Sequence, residues 1–320
     1  MASTVDIPLA PEWLEWEAKI GARPVLSDSV PHMREQFDGL GKLLAEQWGE
    51  PIPGVSTKDM VTDSGLDVRV YRPDASADKL VPLGVFFHCG GYCIGGIIYE
   101  DNLVRNLCVR SQTVIVSVQY RHAPEFSAPT ALNDAADATL WAVKNAESFG
   151  ADSTKVYTMG ASAGAALSVS TFLKLYDDGH KDLISGIVSL SPCFVHPDLV
   201  SDHAGKHTSF VNSNGVLPVI DENSMRIFYD TYNAPLDHPH IFALNYPDMS
   251  VFPKTYIAAA EFDPLRDDSV LLSEKLALAK VDHKLKTYSS LPHVFWLFPI
   301  PQSLTFFDDT AAAIRDVLSL

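Results

Sequence analysis

The chain has 320 residues, enough to bury a sizeable core as one large domain or as a domain with a modest satellite. It is 47% hydrophobic and 20% charged, ordinary for a globular fold, and no apolar run is long enough to span a bilayer. A net charge of -16 works against stable association with nucleic acid or an anionic membrane, both of which need a basic footprint. A neutral or cationic small molecule is the easier partner.

The first residues, Met1-Ala-Ser-Thr-Val-Asp-Ile-Pro8, lack the basic and apolar regions of a signal peptide, so a cytoplasmic location is expected. Four cysteines (Cys89, Cys93, Cys108, Cys193) form no C-x-x-C pair and suit free thiols in a reducing compartment. Residues 1–50 read as helices, with Met33, Phe37, Leu40, Leu44 and Trp48 at three- and four-residue spacing. From about residue 56 the pattern alternates. Strands are expected at Leu66–Tyr71, Leu83–His88, Thr113–Tyr120, Lys155–Met159, Ile184–Leu190, Lys254–Ala259 and Lys284–Tyr288. Helical patterns fall at 100–110, 130–148, 163–176, 266–280 and 303–318.

Continuous apolar strands such as Val114-Ile-Val-Ser-Val118 require a sheet covered on both faces. The alternation predicts an α/β fold with a mostly parallel central sheet flanked by helices. Residues 194–250 are too long for an ordinary connection. They carry Phe210, Met225, Phe228, Tyr229 and Tyr232 among polar stretches. The expected division is therefore an N-terminal cap segment (1–50), a first core part (51–193), a cap insertion (194–250) and a second core part (251–320). Such a helical cap would lie over the carboxyl ends of the strands, where open α/β sheets place ligands. Taken singly, its apolar stripes are also what plain packing surface looks like.

The stretch Gly160-Ala-Ser-Ala-Gly164 matches G-x-S-x-G, with an expected strand before it and a helix after it. That context places a serine on a tight turn above the sheet, and the small residues Gly160, Ala163 and Gly164 leave room for the turn. A serine alcohol needs a base to become a nucleophile, and the order for such a turn is serine, acid, histidine. Asp263 lies just past a strand in a Pro-containing loop, and His293 follows the last strand. Glu261, Asp267 and Asp268 are neighbouring acids, the latter two better placed as helix N-terminal residues. His196, His203, His207, His238 and His240 precede the acid, and His283 precedes the last strand, at the wrong end of the sheet. His203 and His207 are four apart, but no glutamate accompanies them as in a zinc-protease helix, so no metal is expected.

Upstream, Phe87-His-Cys-Gly-Gly-Tyr-Cys-Ile-Gly-Gly96 directly follows a strand. Alone it reads as a structural glycine turn. Beside the serine turn, Gly90 and Gly91 are placed to offer backbone N–H groups, with that of Ala163, to a developing oxyanion.

The segments His88-Cys-Gly-Gly-Tyr92, Tyr120-Arg-His-Ala-Pro-Glu125, Gly160-Ala-Ser-Ala-Gly164, Glu261-Phe-Asp-Pro-Leu-Arg-Asp267 and Pro292-His293 together resemble the hormone-sensitive-lipase-type branch of the α/β-hydrolases. The likeness runs over roughly residues 55–320. It implies Ser162 as nucleophile, Asp263 as acid, His293 as base, and Gly90, Gly91 and Ala163 as the oxyanion hole. It also implies a helical cap and a carboxylic-ester hydrolase that uses no cofactor. Three residues depart from the family pattern: Cys89 and Val294 where glycine is usual, and Ala161 where an acid is usual. Ala161 would take a charge from the mouth of the site, and Val294 would add bulk beside the imidazole.

Together these features lead to serine-dependent hydrolysis of a small or medium apolar ester. An acetylated secondary metabolite, as in the fungal esterases that deacetylate polyketide intermediates, is one such substrate. A cyclase or acyl transferase using the same residues, and a ligand-binding receptor derived from a hydrolase, remain open alternatives. So does a homodimer.

Overall fold

The structure, a computed structural model, describes residues 7–76, 79–203, 205–213 and 217–320. The first six residues of the 1–50 segment, and 204 and 214–216 of the insertion, lie outside the described residues. The chain opens with helices α1 (Pro11–Ile20) and α2 (Val30–Trp48). The sheet is made of β1 (Val55–Val61), β2 (Asp67–Pro73), β3 (Val81–Phe87), β4 (Val114–Val118), β5 (Ala151–Ala161), β6 (Gly186–Leu190), β7 (Lys254–Phe262) and β8 (His283–Pro292). Helices α3 (Asp101–Ser111), α4 (Thr130–Asn145), α5 (Ala163–Asp177), α6 (Ser209–Ser213), α7 (Glu222–Tyr232), α8 (Arg266–Leu278) and α9 (Pro301–Val317) are the other α-helices among the described residues, and short 3-10 turns lie between elements.

The eight strands lie in the order β1-β2-β4-β3-β5-β6-β7-β8. The β1–β2 and β2–β4 pairings are antiparallel and the remainder parallel. Every residue of β3, β4 and β6 is buried, as their unbroken apolar runs require of strands covered on both faces. α3 packs with α9 and α4 with α5, giving the two covering layers. β1 is an addition to the strands expected from sequence. Val55-Ser-Thr-Lys-Asp-Met-Val61 is an edge strand, mostly exposed, so nothing apolar marks it.

The two segments outside the alternation meet each other. Val25 and Val219 form a parallel bridge, with Leu26 N–H donating to Val219 O (2.8 Å) and Val219 N–H to Pro24 O (2.7 Å). α2 also packs on α7. α1 is seated by Trp13 and Trp16, both buried, whose rings meet Phe298 edge-on at 4.6 and 4.7 Å. Burial of such a side chain contributes roughly 1.5–3 kcal/mol, so α1 is part of the core rather than an appendage.

The insertion is held from below by the first turn of α8. Asp267 Oδ2 accepts the N–H groups of Thr208 (2.6 Å) and Ser209 (2.8 Å). Asp268 Oδ1 accepts those of Phe194 (2.6 Å) and Val195 (2.8 Å), and its Oδ2 lies 2.8 Å from Nε2 of the buried His207. The two acids do sit at a helix N-terminus, where the macrodipole favours them. Their oxygens are committed to the insertion as well.

Asp268→Ala leaves two buried N–H groups and an imidazole without an acceptor. It should lower unfolding free energy by about 3 kcal/mol in urea titration, and proteolysis should begin in 194–213. An unchanged midpoint and cleavage pattern would refute this role.

Candidate active site

Ser162 follows β5 and is the N-cap of α5, with φ 55° and ψ -120°, a strained conformation for a residue with a side chain. Its N–H donates to Leu190 O on the next strand (2.8 Å). The turn is possible because its flanks are bare. A Cβ on Gly164 would stand 1.9 Å from Phe87 O, and one on Gly160 2.2 Å from Gly164 O. The small residues that the motif called for are thus a consequence of how closely α5 crosses the end of β3.

Asp263 follows β7 and His293 follows β8, so all three side chains stand at carboxyl ends of parallel strands, where α/β sheets bind ligands. His293 Nε2 lies 2.9 Å from Ser162 Oγ, and His293 Nδ1 lies 2.7 Å from Asp263 Oδ2. A carboxylate can only accept, so Nδ1 carries the proton and the Nε2 lone pair faces the serine hydroxyl. Asp263 Oδ1 accepts Leu265 N–H (2.8 Å), which fixes the carboxylate plane. All three residues are buried.

The other candidates fall elsewhere. Glu261 Oε2 accepts Ser290 N–H (2.8 Å), His240 pairs with Asp177 (2.7 Å), and His283 lies 3.1 Å from Ser273 at the far end of β8. No group of three or more His, Cys, Asp or Glu side chains among the described residues could hold a metal ion. Among the described residues, no helix is long and apolar enough to cross a membrane.

Gly90 and Gly91 have φ 124° and 58°. Their N–H groups and that of Ala163 are buried and find no protein acceptor among the described residues, a rare condition for backbone donors. The turn they occupy is tied down on its other side. Cys89 O accepts from His88 Nδ1 (2.7 Å), and Gly90 O accepts from the N–H groups of Cys93 and Ile94 (both 3.0 Å). In a trans peptide the N–H points opposite to the carbonyl. Pinning these two carbonyls therefore aims the Gly90 and Gly91 N–H groups the other way, to the cavity that they line with Ser162.

This support was not anticipated from sequence. His88 stacks on Tyr120 at 4.1 Å, and His122 Nε2 lies 3.4 Å from His88 Nε2. With Nδ1–H committed to a carbonyl, His88 offers Nε2 as acceptor and His122 is the donor. Burial pushes the His88 pKa down to about 3 and that of His122 to about 4, so both rings are neutral near pH 7. The segment 120–125, first noted for its family likeness, is thus a brace. Tyr120 OH donates to His88 O (2.9 Å), and Glu125 receives Arg34 of α2 through two bonds of 2.7 Å.

Above Ser162 lies a cavity of about 20 Å³, space for roughly one water-sized group. Its walls include Leu26 and Phe37 from the N-terminal segment and Val219, Met225 and Phe228 from the insertion. The Phe228 ring covers Gly91 so closely that a Cβ there would lie 2.2 Å away. Val294, which also lines the cavity, has φ 47°, and Val219 has φ 73°; both are uncommon for β-branched residues. Ala161 is fully buried at the end of β5.

A sequence model of the alpha/beta hydrolase fold matches residues 84–297. Versiconal hemiacetal acetate esterase of Aspergillus parasiticus is 35% identical over 318 residues, 97% of this chain and 99% of that protein. Among solved structures, the hyperthermophilic esterase of Pyrobaculum calidifontis superposes with a TM-score of 0.85 at 28% identity, covering 98% of this chain and 100% of that one. Vibralactone cyclase superposes with a TM-score of 0.86 at 25% identity, covering 97% and 95%. The chain belongs to the α/β-hydrolase fold family, in its hormone-sensitive-lipase-type branch. It is a carboxylic-ester hydrolase.

The buried neutral histidines set a pH dependence. In the unfolded chain their imidazoles take up protons below about pH 6.5, whereas the folded ones do so only near 3 to 4. The unfolded state then binds more protons, and stability falls as pH drops through this window. His122→Gln, which keeps a donor for His88, should lose about 2 kcal/mol less stability than the natural chain between pH 7 and 5. Parallel losses in urea titrations would contradict the assignment.

Proposed function

We propose that this chain cleaves an acetate ester of a small or medium apolar molecule, an acetylated secondary metabolite, through an acyl-enzyme on Ser162. The observation that carries the reading is the continuous chain Ser162–His293–Asp263 beside three buried N–H groups that find no protein acceptor among the described residues.

In this reading His293 Nε2 takes the Ser162 proton as Oγ attacks the carbonyl carbon. Asp263 holds the tautomer and stabilises the imidazolium. The negative charge that moves onto the carbonyl oxygen is met by the N–H groups of Gly90, Gly91 and Ala163, the last at the positive end of α5. Collapse of this intermediate breaks the ester C–O bond, and His293 returns the proton to the departing alkoxide. Water, deprotonated by the same nitrogen, then attacks the acyl carbon, releases the acid and restores the Ser162 hydroxyl. No cofactor enters any step.

Preference for an acetyl group rests on the small volume above Ser162 and on the name of the Aspergillus relative. The described residues of 1–50 and 194–250 act as the cap whose apolar walls select the acyl group. Four buried free thiols support a reducing, cytoplasmic location. The likeness to vibralactone cyclase favours one second reading. An internal hydroxyl of the bound acyl chain could replace water and close a lactone, since the choice of nucleophile depends only on what reaches the acyl-enzyme.

Ser162→Ala should reduce kcat on p-nitrophenyl acetate by about 10⁴-fold or more, with stability little changed. Activity equal to that of the natural chain would end the nucleophile assignment. Met225→Ala should raise kcat/KM for the hexanoate relative to the acetate, because it removes side-chain volume from the acyl wall. A fixed hexanoate-to-acetate ratio would show that this cavity does not receive the acyl chain.

A further inference from the structure

Behind the Gly90–Gly91 turn lies a carboxyl group that the steps above do not use. Glu100 ends the short 3-10 turn Ile97–Glu100 that leads into α3, and it is 1% exposed. Its Oε2 accepts the Cys89 N–H at 2.6 Å, while Oε1 is buried with no hydrogen-bond partner. The other side of the same peptide, His88 O, accepts from Tyr120 OH at 2.9 Å. The His88–Cys89 peptide is therefore gripped at both ends, one peptide upstream of the two glycines.

We propose that Glu100 is a positioning residue for the oxyanion turn. As a neutral carboxyl it holds the Cys89 N–H and thereby the direction of the Gly90 and Gly91 donors. As a carboxylate it places a negative charge behind those donors and opposes the charge building on the substrate oxygen.

The surroundings favour the neutral form. The Cys89 thiol of the turn and Tyr120, which follows β4, face the carboxyl, and neither supplies a positive charge. His88 and His122, next in the stack, are held neutral. Arg69 of β2 and Arg105 of α3 are engaged with Asp59 and Asp101. Burial pushes Glu100 up to about 8, only partly offset by its bonds to Cys89. Ionisation thus comes as pH rises through about 8, and hydrolysis should weaken over the same range.

The inference rests on Ser162 being the nucleophile, so the Ser162→Ala variant is assayed alongside. Phenyl acetate hydrolysis is followed by pH-stat titration from pH 6 to 10 for the natural chain, Glu100→Gln and Glu100→Ala. The natural chain should lose kcat above an apparent pKa near 8. Glu100→Gln, whose amide oxygen still accepts the Cys89 N–H, should stay within about threefold of natural kcat at pH 7 and lack this alkaline limb. Glu100→Ala should lower kcat by about tenfold or more at every pH with KM little changed. Near-ultraviolet circular dichroism checks that it folds; if it does not, the Glu100→Gln profile decides alone. An alkaline limb retained in Glu100→Gln, or absent from the natural chain, would overturn the proposal. If Ser162→Ala retains activity, it is the functional reading that fails.

Discussion

How near α5 can come to the end of β3 governs the geometry of the whole site. A hydrogen atom at Gly164 faces the carbonyls of Phe87 and His88, where a Cβ would stand 1.9 and 2.6 Å away. That approach brings the first N–H of α5 beside the Gly90–Gly91 turn, which leaves the same strand end. Ser162 is thereby forced into a left-handed conformation, and the side chain has no direction to take but upward from the sheet. A methyl group at Gly164 would separate helix from strand and pull the serine from the three donors at once. The two glycines of G-x-S-x-G are therefore steric conditions, whereas the serine is a chemical one.

Peptide planarity carries the same constraint one step further. Three successive peptides, from His88 to Gly91, have carbonyls tied to Tyr120, His88 and the backbone of Cys93 and Ile94. Each tie fixes the N–H of its own peptide in the opposite direction. Donors arranged before substrate arrives need no reorganisation when charge develops, which is the source of their effect in a buried site. Near pH 7 burial keeps Glu100, His88 and His122 behind the turn neutral, so the field at the donors comes from the peptides and from the N-terminus of α5 rather than from a buried ion.

Much of this was legible in the chain because the chemistry of turns is local. A strand, a short glycine-flanked turn and a helix reveal themselves within fifteen or so residues. The order of Asp263 and His293 after the serine follows from strand succession, and the distances between the three side chains agree with that order. β1 escaped notice because an exposed edge strand has no apolar alternation. Glu100 escaped it for a different reason. At the start of a helical pattern an acid looks like a solvated first-turn residue, and nothing in the one-dimensional pattern reports that it points inward. The cavity walls were equally hidden, since Leu26 comes from the N-terminal segment and Val219 and Phe228 from the insertion, two segments joined at the Val25–Val219 bridge.

The grip of Asp267 and Asp268 on residues 194–195 and 207–209 has a consequence for how such proteins diversify. These acids stand four and five positions after Asp263, on the same loop-to-helix junction. The segment that walls the cavity above Ser162 and the loop whose carboxylate meets His293 thus share one mechanical root. An insertion borrowed from a relative would have to present its own backbone N–H groups and an imidazole where these two acids reach. Exchange of specificity between members of this branch should then proceed by point changes on the cavity wall, at residues such as Val219, Met225 and Val294, more readily than by recombination of whole insertions.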